Sequence, residues 1–240
     1  AKRTCQQTGF YRDGKNLTAT IINPTSPVTG DVSVIGCNIG VYFGPGHNGS
    51  VDAANIHGAD YYGVVVQQAT VNIKNSNIHD IGDNHTFTGG QHGVGVYYAN
   101  VEGLKNGDCV TTGKTSGLID GNSITEYQKG GVAIACPGAN VTVTNNHVLG
   151  LTQIPFIAQN GIQFGYGAAG EASGNEITGN WYQGADWTSI GLLLFDVNAK
   201  DVKRSNNSFR DNQTNFNITT RQACPHMYGG VYEGWGLCTF

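Results

Sequence analysis

The sequence predicts an all-β solenoid wound from short strands, and three observations predict it. The motif Gly–apolar–x–apolar recurs, led by Gly40, Gly63, Gly93, Gly131, Gly161 and Gly191. Each is followed, generally after 15 to 18 residues, by an isolated apolar anchor: Ile56, Ile78, Ile124, Val148, Ile177 and Phe209. Two residues before four of these anchors stands an asparagine: Asn122, Asn146, Asn175 and Asn207. The shortest glycine-to-glycine spacing is 23 residues (Gly40 to Gly63). A period in the twenties means coils that bury their apolar faces only by stacking on one another.

The first strand of each coil spans residues 40–43, 63–66, 93–96, 131–134, 161–164 and 191–194. Its first and third residues after glycine are mostly aliphatic or β-branched. Alternation with period two turns those two inward. The middle residues, Tyr42, Val65, Gly95, Ala133, Gln163 and Leu193, then form one smooth outer face. The second strands run over 51–56, 71–78, 117–124, 141–148, 171–177 and 202–209. The asparagines recurring there predict a ladder of side-chain amides, each bonded to the amide of the next coil.

The coils differ in length at one place. From anchor to next glycine takes 7 residues in two coils but 15, 13 and 14 in three others. Insertions at one point of the repeat emerge at one corner, and loops gathered there are the expected binding face. A separate insertion near residues 98–117 holds Cys109 and lies at another corner. Residues 1–35 and 219–240 depart from the pattern and are expected to cap the two ends of a single domain whose coils span 36–218.

Charged residues make up 12% of the chain, about half the usual share of roughly 25%. There are 36 glycines and 24 asparagines, a composition poor in helix formers. With a net charge of −4 there is no basic field to attract nucleic acid. No apolar run approaches the roughly 20 residues that a membrane helix needs. Six cysteines (Cys5, Cys37, Cys109, Cys136, Cys224 and Cys238) contain no C-x-x-C and point to disulfides and an oxidising compartment. The chain starts at Ala1 without an apolar leader, so a secreted protein that has lost its signal peptide is expected. Seven N-x-[ST] sequons, at Asn16, Asn48, Asn84, Asn140, Asn206, Asn212 and Asn217, are acceptors only in a host that glycosylates.

The coil sequences GNSIT (121–125), TNNHV (144–148), SGNEIT (173–178) and SNNSF (205–209) resemble those of the right-handed parallel β-helix proteins of the pectate-lyase-like superfamily. The resemblance covers about residues 36–218. It implies a single-stranded right-handed parallel β-helix of about seven coils, three parallel sheets forming a prism, with disulfide-stapled end caps. It also implies a ligand held across an outer face and, commonly, action on polysaccharides by lyases, hydrolases, esterases or epimerases, with some non-catalytic adhesins. Gln91-His92-Gly93 resembles the G-H-G element of polygalacturonases, but the N-T-D, D-D and R-I-K elements of that family are missing. The Y-G-x-D-P-H signature of mannuronan epimerases is also missing, and the Asp/Glu set and arginine of pectate lyases do not map onto this chain.

The turn before each glycine strand offers the candidate chemistry. Alignment on the glycines sets Gln91, Lys129 and Gln159 in one column, with His92 and Asn160 beside them. A cation, an imidazole and several amides suit β-elimination on a uronic acid, in which the sugar carboxylate is neutralised, the C5 proton removed and the leaving oxygen protonated. Lys129 or His92 would serve as base and Tyr97 as the acid on the leaving oxygen. Gln91, Gln159, Asn160, Gln163, Tyr98 and Trp187 would bind the substrate. The alternative is that these side chains merely close the turn. Asp80, Asp83 and His85, with His92, offer carboxylate and imidazole for a divalent ion such as Ca²⁺. Glycoside hydrolysis needs paired carboxylates, for which Asp80 or Asp83 with Glu126, and Asp196, are candidates. Phe156, Tyr166, Trp181, Tyr182 and Trp187 in the loops are rings able to carry sugar faces. Together these features predict a secreted protein acting on an acidic polysaccharide, foremost a lyase. The alternatives are a non-catalytic polysaccharide binder and a hydrolase.

Overall fold

The computed structural model describes residues 4–102 and 109–220. The expected cap over residues 219–240, with Cys224 and Cys238, lies almost wholly outside the described residues.

The chain opens with an antiparallel hairpin, β1 (Gln6–Arg12) and β2 (Lys15–Ile22), turned by Asp13-Gly14, both at positive φ. That dipeptide is the signature of a two-residue type I′ loop. β3 (Val28–Ser33), β4 (Ile39–Phe43) and β5 (Gly49–His57) begin the winding. The coils then continue as β6 (Tyr62–Gln67), β7 (Thr70–Lys74) and β8 (Asn77–His79); β9 (Val94–Ala99), β10 (Thr115–Asp120) and β11 (Ser123–Thr125); β12 (Gly130–Ala135), β13 (Ala139–Thr144) and β14 (His147–Ile154). β15 (Asn160–Gly165), β16 (Ala169–Ser173) and β17 (Glu176–Tyr182) follow, then β18 (Ile190–Phe195), β19 (Val202–Ser205) and β20 (Ser208–Arg210), and last β21 (Thr214–Thr219).

Among the described residues these strands form three faces. One is the sheet β1-β2-β4-β6-β9-β12-β15-β18-β21, parallel after its first pair. The long strand β5 bends at Ala53, so that its first half pairs with β7 and its second half with β3 and β8. It thereby joins the face β7-β10-β13-β16-β19 to the face β3-β5-β8-β11-β14-β17-β20. Because β2 and β3 already pair in parallel with β4 and β5, winding starts before residue 36, inside the segment expected as a cap.

The corner between the second and third strands of each coil is made by one residue in the left-handed region: Asn75, Gly121, Asn145, Gly174 and Asn206. Asparagine and glycine tolerate that conformation at low cost. The residue after each is the ladder residue. Asn122 Nδ2 donates to Asn146 Oδ1 (3.0 Å), Asn146 to Asn175 (3.0 Å) and Asn175 to Asn207 (2.9 Å). Every Nδ2 also donates to a carbonyl of the preceding coil, so the predicted amide ladder is present and saturated.

The core is a set of stacked columns. Val41, Val64, Val96, Val132, Ile162 and Leu192 form one; Phe43, Val66, Tyr98, Ile134, Phe164 and Leu194 form another. The register corrects one glycine. Val64 pairs with Val96, so Gly63 is matched by Gly95 rather than Gly93, and the outward residue of that coil is Tyr97 rather than Gly95. Gly93 is a turn residue with φ +88.

The glycine column and the anchor column are two halves of one contact. A methyl group on Gly63 would come 2.6 Å from Ile78 Cγ2 and 2.5 Å from the Gly95 carbonyl oxygen. The same crowding sets Gly40 against Ile56, Gly95 against Ile124, Gly131 against Val148 and Gly161 against Ile177.

The outer face of the first sheet is not the open groove that the sequence suggested. Tyr42, Val65, Tyr97, Ala133, Gln163 and Leu193 are all buried. Part of the cover is the N-terminal hairpin, whose Phe10 ring lies 6.2 Å from the rings of Tyr42, Tyr62 and Tyr97. An apolar outer column needs such a cover to leave water. Cys5–Cys37 ties the N-terminal segment to the coils, and Cys109–Cys136 ties the insertion after β9 to the turn after β12, so the second bridge staples a side loop and not an end.

Replacing Gly131 with alanine sets Cβ 2.5 Å from Val148 Cγ1 and 2.6 Å from the Gly161 carbonyl oxygen. Gly131→Ala is expected to lose about 1–3 kcal/mol in urea unfolding. Gly46→Ala, which meets nothing within 4 Å but sits at φ +78, is expected to lose only its smaller backbone strain. Equal losses in the two variants would contradict the contact.

Candidate active site

Three successive turns build the corner where the long loops emerge. Residues 58–61 lead into β6, residues 80–93 into β9 and residues 126–129 into β12. The backbone of the middle turn stays in the rung at both ends: Gly82 N donates to Ala59 O, and Gly93 N to Tyr61 O. Residues 83–92 are therefore an excursion out of the wall. A short 3-10 turn, Asp83–His85, begins it.

Gln128, fully buried beneath the excursion, holds it in place. Its Oε1 accepts from Asp83 N (3.0 Å) and Thr88 N (2.8 Å), and its Nε2 donates to Gly90 O (2.9 Å). This leaves His92 with Nε2 at 2.6 Å from Asp83 Oδ1 and Nδ1 at 3.6 Å from Asp13 Oδ2. The imidazole lies flat on the Tyr61 ring, centroids 3.9 Å apart. Asp83 also accepts from Thr88 Oγ1 (2.5 Å). Asp13 reaches the site from the tip of the N-terminal hairpin, and Lys15, beyond that tip, sets its ammonium 6.0 Å from the Tyr61 ring. Asp60 completes the group, held by the backbone N–H of Asn84.

The electrostatics separate these acids. Burial and the neighbouring Asp83 charge push the Asp60 carboxyl upward, since each disfavours a second anion. Asp83 is also raised by burial, but hydrogen bonds from His92, Thr88 and Gln128 outweigh that, and it is held low. The His92 hydrogen bond holds Asp13 low as well. Burial opposes the His92 cation, yet Asp13 and Asp83 outweigh burial and raise it. Burial, then Asp13, drives the Tyr61 phenol far above its ordinary range. Two neighbouring carboxyls whose environments push their pKa values apart are the pairing that general acid–base chemistry uses.

The residues expected from the sequence divide sharply. His92 and Asp83 are in the centre. Gln91 precedes His92 on the excursion, its Nε2 on Gly89 O (3.3 Å). Because Gly95 and not Gly93 is the column glycine, Gln91 and His92 do not stack on Lys129; Gly93 takes that place, and Lys129 N donates to Gly93 O. Lys129 and Gln159 are neighbours, as expected, but both are fully buried. Lys129 Nζ donates to Ala158 O (2.6 Å), and burial lowers its pKa to about 7. Gln159 bonds Leu151 N, Tyr127 O and Gln128 O, patching backbone rather than facing solvent. Asn160 and Gln163 bond each other under the covered outer face (2.9 Å). Tyr97 lies under the same cover. Tyr98 points into the core, with its hydroxyl on Val71 O. Trp187 sits half-buried in the loop before β18.

The expected metal trio is divided too. Asp80 pairs with His85 (2.6 Å) while Asp83 pairs with His92. Among the described residues no three His, Cys, Asp or Glu side chains gather in a way that would hold a metal ion. Glu126 adjoins Asp80 across the rung, but its carboxylate pairs with His79 (3.3 Å). Among the described residues no helix is long and apolar enough to cross a membrane.

Asp13, Asp60, Tyr61 and Gln128 were not singled out from the sequence. Asp13-Gly14 was legible as a hairpin turn between two alternating segments. Nothing local tells that this hairpin folds back onto the corner.

Lys129 yields a test that needs no substrate. Its folded pKa is below its unfolded value, so the unfolded chain binds one more proton between about pH 7 and the ordinary lysine range, and stability rises with pH there. In urea unfolding, the wild type is expected to gain on Lys129→Met as pH rises from 7 to 9. A difference independent of pH would place the ammonium in contact with water.

No curated protein matches the chain. Among solved structures, an alginate lyase from Paenibacillus sp. str. FPU-7 aligns with a TM-score of 0.41 at 17% identity, over 85% of this chain and 78% of that one. Residues 21–150 match the family described as the right handed beta helix region. That match spans more than half of the chain, and with the stacked parallel rungs it makes this protein a member of the right-handed β-helix family.

Proposed function

We propose that this protein is a secreted carbohydrate-active enzyme that cleaves a glycosidic bond at the corner bearing Asp13, Asp60, Asp83 and His92. The observation that supports the reading is convergence. Asp13 and Asp83, from separate parts of the chain, both pair with a histidine stacked on Tyr61, and Asp60, held by the Asn84 N–H, lies within electrostatic reach of them on a corner beside the loops. The two disulfides fit an oxidising compartment.

In this reading Asp60 keeps its proton and gives it to the leaving glycosidic oxygen. Asp83, oriented by His92, Thr88 and Gln128, stays ionised and activates water or stabilises positive charge on the sugar ring. His92 compensates the charge of Asp83 and Asp13. The Tyr61 ring, stacked on the imidazole, fixes its orientation. The substrate suited to this corner is neutral, because a uronic acid would meet Asp13, Asp60, Asp80 and Asp83 together.

A lyase acting on an acidic polysaccharide is the second reading, and the cationic His92 beside Tyr61 favours it as the donor to a leaving oxygen. In that reading Lys129 cannot act as base while its ammonium is enclosed against Ala158, and Tyr97 is covered.

Incubation with a panel of neutral and acidic polysaccharides separates the readings. Hydrolysis gives reducing ends without ultraviolet-absorbing products, elimination gives unsaturated products that absorb, and retention without any product marks a binding protein. Under the first reading Asp60→Asn and Asp83→Asn each lose about 10²–10⁴-fold in kcat. Activity requires Asp60 protonated and Asp83 ionised, so it falls below the lowered Asp83 pKa and above the raised Asp60 pKa, with an acidic optimum between. Asp60→Asn also removes the alkaline limb. Full activity in both variants would overturn the assignment.

A further inference from the structure

We propose that Trp181, with Thr152, Gln153 and Asp211, forms a subsite for a neutral sugar ring of a long polysaccharide chain, three coils along the solenoid from His92. The inference rests on the reading of the His92 corner as a site that acts on polysaccharide.

The subsite begins with a break in the ladder. β14 and β17 pair regularly from His147↔Glu176 to Leu149↔Thr178, shift register, and resume at Thr152↔Asn180, Gln153↔Trp181 and Ile154↔Tyr182. Thr152 has φ +66. A β-bulge of this kind bends the strand pair and re-aims its side chains. Past it, alternation sends Ile154 into the protein and leaves Gln153 exposed, cross-strand from a half-buried Trp181. Asp211, in the turn of the next coil, closes the other side of a pocket of about 420 Å³ lined by these four residues. That volume lies within the span of small-ligand sites.

The lining is specific in kind. An indole face takes the C–H face of a pyranose, and its polar edge is left for hydrogen bonding. Among the described residues, the Trp181 indole N–H, the Gln153 side-chain amide and the Thr152 hydroxyl make no side-chain hydrogen bond. They and Asp211 offer donors and acceptors for hydroxyl groups. Arg210 is shared between Asp211 (3.5 Å) and Glu176 (3.5 Å), so no cation is left over for a uronate. The composition therefore selects an uncharged, hydroxyl-rich ring.

The place of the pocket fits a chain that continues from the catalytic corner. His92 follows β8 and Trp181 lies in β17, and these two strands of the third face are separated by the steps β8-β11-β14-β17. Three steps of rung spacing make an axial distance of about 14 Å. A ligand that touches both places is an extended oligosaccharide, whereas one ring reaches only one of them.

The test reads binding apart from catalysis. Cello-, xylo-, manno- and laminari-hexaose are titrated against the full chain, following the Trp181 indole N–H resonance, assigned by its loss in Trp181→Phe. At least one is expected to shift that resonance, to bind about tenfold more weakly to Trp181→Ala, a change set by loss of the ring face, and to bind Asp60→Asn as tightly as the wild type. On a cleaved polymer, Trp181→Ala is expected to raise KM about tenfold for long chains with kcat unchanged, and to leave short substrates unaffected. Gln153→Ala, which removes only an exposed amide, is expected to weaken the same ligand and guards against misfolding of the tryptophan variant. Binding of the neutral hexaoses that is lost in Trp181→Ala while no product forms keeps the subsite and removes the enzyme. No shift of the indole by any of the four, or a shift caused only by uronate oligomers, overturns the proposal.

Discussion

The contact between each coil's glycine and the isolated aliphatic anchor of the same coil is the constraint on which the structure depends. Ile78 Cγ2 occupies the space in which a side chain on Gly63 would lie, and four other coils repeat the arrangement. Residue 63 must be glycine because residue 78 fills its space. The first and third faces are thus locked at the corner where one coil hands over to the next, and the rung spacing follows from backbone bonding alone. Cores packed to this density tolerate little added volume, so the pairing fixes how the faces meet without specifying what lies outside them.

That separation explains where variation is allowed. The handover corner carries short turns before β6 and β12 and a long excursion over residues 80–93 before β9, whereas before β15 and β18 the added residues mostly lengthen β14 and β17, which stay paired to Ile154 and Tyr182. An excursion leaves the rung at one hydrogen bond and returns at another, as Gly82 and Gly93 do on Ala59 and Tyr61. The wall beneath is undisturbed. Titratable side chains that the solenoid interior would exclude can then gather on the outside, and do: His92 compensates Asp83 and Asp13, while at Asp60 burial and the Asp83 charge outweigh the pull of His85 and His92 and raise the carboxyl. Burial and charge crowding at the corner thus push the aspartates apart, Asp60 upward and Asp83 and Asp13 downward.

Fold and ladder were legible because their signals are local and repeated. Asn122, Asn146, Asn175 and Asn207 stand at one coil position and bond one another as that position implies. The site was legible only in part, and the error has one source. In Gly93-Val94-Gly95-Val96 both glycines satisfy the motif. Taking the first moves a whole coil by two residues, puts Gln91 over Lys129 with His92 beside it, and leaves Tyr97 as a free side chain. The aromatic pattern Gly95-Val-Tyr97-Tyr98 against Gly40-Val-Tyr42-Phe43 carries the right register, because both coils place a tyrosine outward against Phe10. Asp13 was beyond reach for a different reason. Its hairpin is local, but its docking on the corner is a contact made across roughly eighty residues of chain.

The polar residues just before the column glycines answer to backbone accounting. Wherever the chain departs on an excursion, peptide groups at the corner lose their rung partners, and a buried peptide group without a partner is costly. A long side chain from the neighbouring coil supplies the missing bonds. Gln128 does so for the excursion over 83–92. Gln159 takes Leu151 N and Tyr127 O, Gln213 takes Tyr182 N and Ser189 N, and the Lys129 ammonium takes Ala158 O. Three of these four residues, Lys129, Gln159 and Gln213, occupy one column, two positions before Gly131, Gly161 and, in the last coil, Asn215. A polar side chain there is therefore the consequence of a long loop, and chemistry at this corner has to come from residues carried on the loops and from turns that have none.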